Sequence, residues 1–230
     1  MNMKKFLLTT FAIAVFSFAG AQVKTISLKK GEALDLLLLN TNTEAKEELN
    51  EYFEKAVPVA QKWGYRPQYS TRLSSPPSQG NYWPSTFILA KWEDYGKRIQ
   101  FMDAITEVYP QFHERRRLIW TTFNLTFWKV EEDQEINIDP DKYYVATSYW
   151  SENPEDFGRF SEKWMSTLES SGGKVVLTCS DGTSPFGYAY DPDLFTVTEW
   201  ESERDFQRFL DKNKIMDHKG VKHVNQFILN

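Results

Sequence analysis

One cysteine and three histidines are all that 230 residues carry. A disulfide framework needs paired cysteines, and a zinc-type centre needs a spaced Cys/His set, so both are excluded. Cys179 reads as a small buried apolar side chain. Positive charge is in deficit, with 27 Lys and Arg against 32 Asp and Glu. A chain of this sign lacks the clustered Lys and Arg that a phosphate backbone demands, so nucleic acid is not an expected partner. No P-loop or dinucleotide-binding glycine pattern is present, and no G-x-S-x-G elbow. After residue 21 no apolar run reaches the roughly 20 residues of a membrane span.

The segment 1–21 has the plan of an export signal. Lys4 and Lys5 precede an apolar stretch from Phe6 to Phe18, and Ala19-Gly20-Ala21 supplies small residues for cleavage before Gln22. The expected location is therefore periplasmic or secreted. Removing the leader takes away two lysines and no acid, so the mature chain is more acidic still.

Aromatic residues, at 16%, are plentiful, and they recur. Laid over residues 190–211, residues 82–103 match at seven of 22 positions with a shift of 108: Tyr82/Tyr190, Pro84/Pro192, Phe87/Phe195, Trp92/Trp200, Glu93/Glu201, Phe101/Phe209 and Asp103/Asp211. Chance would give about one or two. The same shift pairs Gly64 with Gly172, each at the expected end of a helix. The unit is about a hundred residues, far longer than a solenoid repeat.

Each unit reads strand, helix, strand, strand, helix, strand. The first opens with "ALDLLLLNT", continues through a helix started by a Thr41/Glu44 capping box and kinked at Pro58, and closes with "TFNLTFWKV". The second opens with "KYYVATSYW", has Asn153-Pro154 as a helix start, and closes with "VKHVNQFIL". Asp94 and Ser202 are the expected caps of the second helices, and Pro110 is expected to break or kink the one in the first half. The units are placed at 22–130 and 142–230. Between them "EEDQEINIDPD", with six acids and no base, reads as a solvated linker over 131–141. A βαββαβ unit forms a four-stranded antiparallel sheet with both helices on one face. Two units cover each other's bare faces. The expected fold is α+β: two tandem ferredoxin-like units closing one barrel.

The run "FTVTEWESERDFQRFL" and its earlier counterpart resemble the dimeric α+β barrel superfamily, which includes antibiotic-biosynthesis monooxygenases and haem-degrading monooxygenases. The resemblance covers both halves and implies a fused pair in place of the usual dimer. It also implies, as an alternative to plain binding, cofactorless or haem-dependent monooxygenase chemistry. In the haem-degrading branch an Asn of the first strand, a Trp and a His of the second helix act together. Carried over, these positions fall near Ser148, on Phe209 and near His218 in the second half, and near Asn40, Phe101 and His113 in the first. The set is incomplete in both. No cofactor is expected, with haem at His218 the alternative.

From the residues themselves, period two on "LFTVTEW" puts Leu194, Thr196, Thr198 and Trp200 on one face and Phe195 and Val197 on the other. Trp92 occupies the corresponding place in the first half. The Trp face carries small groups, so its alternative readings are a cavity border and a covered sheet rim. Aligning the last strands on Phe127 and Phe227 sets His223 against Phe123 and Asn225 against Leu125. An imidazole and an amide among apolar groups need partners, which a polar pocket would supply. His218 and His223 are the candidate general bases. Trp200, Asn225, Thr198, Tyr149, Trp92 and Asn40 are the candidate ligand contacts. "HERRR", His113 to Arg117, is either an anion grip or a solvated helix end. The aromatic turns around Tyr82 and Tyr188 are either a pocket lid or a partner surface. The expected function is exported binding of a small, largely apolar or aromatic molecule. The chain is expected to be a monomer or to self-associate through its outer surfaces. A purely structural or protein-interaction role is the third alternative.

Overall fold

The computed structural model describes residues 22–229, so the export signal expected at 1–21 lies outside the described residues. The first half contains β1 (Lys24–Leu28), β2 (Ala33–Thr41), α1 (Lys46–Lys62), β3 (Arg66–Arg72), β4 (Thr86–Trp92), α2 (Tyr95–Val108), α3 (Phe112–Ile119) and β5 (Trp120–Lys129). The second contains β6 (Gln134–Ile138), β7 (Tyr143–Ser151), α4 (Pro154–Ser170), β8 (Lys174–Ser180), β9 (Leu194–Trp200), α5 (Glu203–Lys214) and β10 (Val221–Ile228). Among the described residues no helix is long and apolar enough to cross a membrane.

Local chemistry fixes the helix starts. Asn153 accepts from the Asp156 amide at 3.1 Å, and Asp94 from the Lys97 amide at 2.9 Å. Each satisfies a donor that the first turn leaves open. The capping box expected at Thr41 does not form. Thr41 belongs to β2, and Asn42 accepts from the Glu44 amide instead. α1 runs past Pro58 as a single element. Pro110 ends α2 as expected, but a further short helix, α3, follows it, and the second half has no equivalent.

The two four-stranded sheets have the orders β3-β4-β2-β5 and β10-β7-β9-β8, the same topology twice, with every pairing antiparallel. The shift that aligns the repeated sequence carries α1, β3 and β4 end for end onto α4, β8 and β9. Even the β-bulge recurs, between Pro67 and Tyr69 and again between Val175 and Leu177.

The sheets face each other, and the space between them is packed solid. Leu34, Leu36, Leu38, Phe87 and Leu89 of the first meet Ala146, Leu177, Phe195, Val197 and Phe227 of the second. Helices cover the outer faces, making a separate core in each half. The segment 131–141 is not the solvated linker its acids suggest. Residues 134–138 form β6, which pairs with β1 in a two-stranded ribbon, and Ile136 and Ile138 are buried in the inter-sheet core.

That ribbon exposes the internal symmetry. A single shift superimposes the ends of β1 and β2 on those of β6 and β7, and under it Ile26 pairs with Ile136, its own counterpart. Phe87 stacks on its counterpart Phe195 at 6.5 Å, and Tyr82 lies 6.1 Å from its counterpart Tyr190. A residue meeting its own equivalent marks a twofold axis, here within one chain.

Each long turn clasps the last strand of the opposite half. Ser78 and Gln79 exchange backbone hydrogen bonds with Gln226, and Thr183 does so with Phe127. Both turns need glycine for the close approach. A Cβ on Gly80 would lie 2.3 Å from the Val224 carbonyl, and one on Gly182 would lie 2.4 Å from the Trp128 indole nitrogen. The barrel is closed by reciprocal exchange, so neither half completes its surface alone.

Cys179 is buried in the inter-sheet core, and that burial pushes its thiol up to about 12. Only the thiolate is nucleophilic. The native protein is therefore expected to give no colour with a thiol-exchange reagent at pH 8 and one equivalent after unfolding. Full reaction in the native state would contradict this placement.

Candidate functional site

A cavity of about 370 Å³ opens at the barrel mouth, lined by Tyr82, Asn124, Trp150, Ala189, Tyr190, Lys222, His223 and Asn225. Strand register explains its composition. Asn124 faces Leu38 across β2 and β5, while Asn225 faces Ser148 across β7 and β10. Ser148 is the counterpart of Leu38, so Asn225 is the counterpart of Asn124. The alignment on Phe127 and Phe227 is one residue out, and one residue reverses every side chain on a strand. Phe227 points into the barrel, whereas Phe127 lies under the first-half helices against Tyr95 and Arg98. His223 thus stands against Thr122, not Phe123, and Asn225 against an asparagine, not Leu125.

The cavity therefore holds the same Tyr–Asn pair twice, brought together at the axis. Tyr82 donates to the Leu38 carbonyl at 3.1 Å, and Tyr190 donates to Ser148 Oγ at 2.9 Å, at the equivalent position. Burial pushes both phenols well up, opposed by hydrogen bonding between Tyr82 and Asn124 and between Tyr190 and both Ser148 and Asn225. Both phenols are neutral donors at physiological pH. Asn225 Oδ1 is buried without a hydrogen-bond partner. An amide oxygen in that state costs about 1–3 kcal/mol unless something donates to it.

The halves differ around this shared centre. The second supplies Trp150, whose ring lies 5.1 Å from both the Tyr190 ring and the His223 imidazole. The first has Asn40 at the place of Trp150. Asn40 is committed to structure, accepting from the Ser85 amide at 2.7 Å and donating to the Trp83 carbonyl at 3.1 Å. Trp150, Lys222 and His223 thus line the mouth from the second half, and the first half supplies no equivalent of them.

Of the candidate general bases and ligand contacts, His223 and Asn225 share this cavity and the others do not. Trp200, Thr198 and Trp92 lie on the helix-covered faces. Trp200 is buried with Phe206 and Phe209, and its indole donates to Thr198 Oγ1 at 3.0 Å. Trp92 packs on Phe101 at 4.7 Å. Tyr149 lies in the second-half core against Phe160 and Trp164. The Trp face is a packed interface rather than a cavity border. His218 sits in the turn before β10, with its ring 5.3 Å from Phe160, and it lines neither this cavity nor the larger one described below. The residues there do not fit a haem. Phe160, against which His218 packs, is buried in one closed core with Trp164 and Phe209, and Phe209 stands where the resemblance wants Trp.

Asn124 and Trp150 are not among the sequence candidates, and Tyr82 and Tyr190 enter only through the aromatic turns read as a pocket lid or a partner surface. The Tyr82/Tyr190 identity is visible in the letters, and the reading that would have used it is that duplicated positions near an axis become neighbours.

No protein-family profile matches the sequence, and no curated protein does. Solved structures do match. A chlorite dismutase variant from Candidatus Nitrospira defluvii superposes with a TM-score of 0.50 at 9% identity, covering 88% of this chain and 92% of that one. An anthrone oxidase-like protein gives a TM-score of 0.48 at 14% identity, covering 90% and 94%. A putative monooxygenase from Fusobacterium nucleatum subsp. nucleatum gives 0.39 at 12% identity, covering 88% and 94%. At such identities the likeness concerns fold alone. Taken with the repeated strand order and the inward-facing sheets, it gives this chain the dimeric α+β barrel fold, with one polypeptide supplying both halves.

Proposed function

We propose that this is an exported binding protein for a small, largely apolar aromatic molecule, held at the axis cavity of the barrel. The observation that carries the reading is the doubled Tyr–Asn set, Tyr82 with Asn124 and Tyr190 with Asn225, walled by Trp150 and His223 around a cavity of about 370 Å³. The two asparagine side chains lining the cavity offer hydrogen bonds to one polar group on a ligand. The aromatic wall favours a flat ring. Export rests on the leader read in residues 1–21.

Titration calorimetry with 1-naphthol, a neutral ring bearing one donor, tests the site. Asn225→Leu should weaken binding about tenfold, the effect of one lost hydrogen bond in a dry site. Unchanged affinity in a folded variant would remove the assignment. Native mass spectrometry of protein from its own host should show a retained small aromatic molecule. Oxygen consumption on adding 1-naphthol would instead identify the monooxygenase alternative.

A further inference from the structure

A second cavity, of about 560 Å³, lies on the opposite face of β5 and is lined by His113, Arg116, Arg117, Trp120, Thr121, Phe123, Phe186 and Tyr188. It belongs to α3, the helix that the second half lacks, and it is independent of the axis cavity.

The key group is Arg116. Its residue is buried to 8% exposure, and among the described residues no carboxylate lies within ion-pair distance of it. Its guanidinium is held rigidly. Nε donates to the Tyr52 hydroxyl at 2.8 Å and Nη1 to the Tyr188 hydroxyl at 3.1 Å. Its Cζ lies 3.9 Å from the Phe112 ring centre and 4.3 Å from that of Phe123. These contacts orient the cation without neutralising it. The other buried arginine among the described residues, Arg98, is treated differently: it reaches both oxygens of buried Asp35, at 2.9 and 3.1 Å. A buried charge without a counter-charge is costly. Arg117, also without a carboxylate partner among the described residues, lines the same cavity, and no acid lines it, although acids outnumber bases in the chain.

The geometry points to a binding site for a small aromatic carboxylate, with Arg116 supplying the counter-charge and the rings of Trp120, Phe123 and Phe186 receiving the flat apolar body. A strongly hydrated inorganic anion suits the site less well, because most of its wall is aromatic and only one guanidinium is buried there. Planar guanidinium and planar carboxylate match in shape as well as charge. Burial and the two neighbouring arginines hold the His113 imidazole below its ordinary range, so a neutral ring borders the anion site near pH 7. The β8–β9 turn brings Phe186 and Tyr188 to the cavity, and Phe186 adopts a positive φ of 59° to do so.

The experiment compares 1-naphthoate with 1-naphthamide, alike in size and shape but not in charge, by titration calorimetry on the full chain. Naphthoate should bind at least tenfold more tightly than the amide, and Arg116→Gln should abolish that preference. Equal binding of the two probes, or no binding of either, overturns the proposal. So does a folded R116Q that keeps the preference. Should R116Q fail to fold, Arg117→Gln and Tyr188→Phe decide: each should reduce the naphthoate preference several-fold, and no change in both refutes the site.

Discussion

Replacing Asp35 by Val is expected to destabilise the protein by about 3–5 kcal/mol, because it strands the Arg98 guanidinium in a core without its partner. Both residues are almost fully buried, at 2% exposure each. Arg98 also lies 4.9 Å from the Trp92 ring centre and 4.4 Å from that of Phe127, so it has no path to water. The second half shows what the site accepts in place of the pair. The counterpart of Asp35 is Val145 and that of Arg98 is Phe206, both buried in one apolar core. The double change Asp35→Val with Arg98→Phe should therefore recover most of the loss, since a buried ion pair replaced by apolar groups is often neutral or stabilising. Urea unfolding of the two single variants and the double variant completes the cycle. If Asp35→Val alone costs under about 1 kcal/mol, the pair does not carry the role given to it.

Phe195→Ala should cost a similar amount, about 3–5 kcal/mol, for a different reason. Phe195 lies between the Trp128 ring, stacked at 5.4 Å, and Phe87, stacked at 6.5 Å, both from the opposite half. Truncation leaves a void in the middle of the barrel, bounded by rigid rings that cannot collapse into it. Because the contact joins the halves, loss of helix signal and change in tryptophan fluorescence should remain a single coincident transition at a lower midpoint. Two separated transitions would mean that the halves unfold independently, contrary to the shared core.

The duplicated phrase revealed the architecture because its spacing held over one helix and two strands. Turn chemistry did the rest: Asn153, Asp94 and the paired Gly64 and Gly172 each sit where their capping or left-handed geometry is needed. The face of Trp200 was harder to read. Thr196, Thr198 and Trp200 alternate with Phe195 and Val197, and both faces of this strand are buried. Small strand residues under Trp164, Phe206 and Phe209 are a matched packing of small on large, which alternation alone cannot tell from an empty space. The closing strands misled for a similar reason. Phe127 and Phe227 look equivalent by type, yet only the register against Leu36 and Ala146 shows that Thr126 is the true counterpart of Phe227. In β6 the acids masked a period-two signal, Ile136 and Ile138, that was present in the letters. Arg116 stood within a run of three arginines, and only tertiary packing selects which one is buried.

The ribbon on the twofold axis also governs the order in which the molecule assembles. β1 comes early in the chain, yet its one strand partner among the described residues is β6, which follows the entire first half. Until the second half begins, Ile26 and Leu28 have no mate, and the earliest-made segment must wait for a distant one. Closing so long a loop costs entropy that nearby contacts cannot offset, so topology favours slow, late completion. The first half can pair its own four strands as they are made, so β1, among the first segments made, is expected to be among the last to dock.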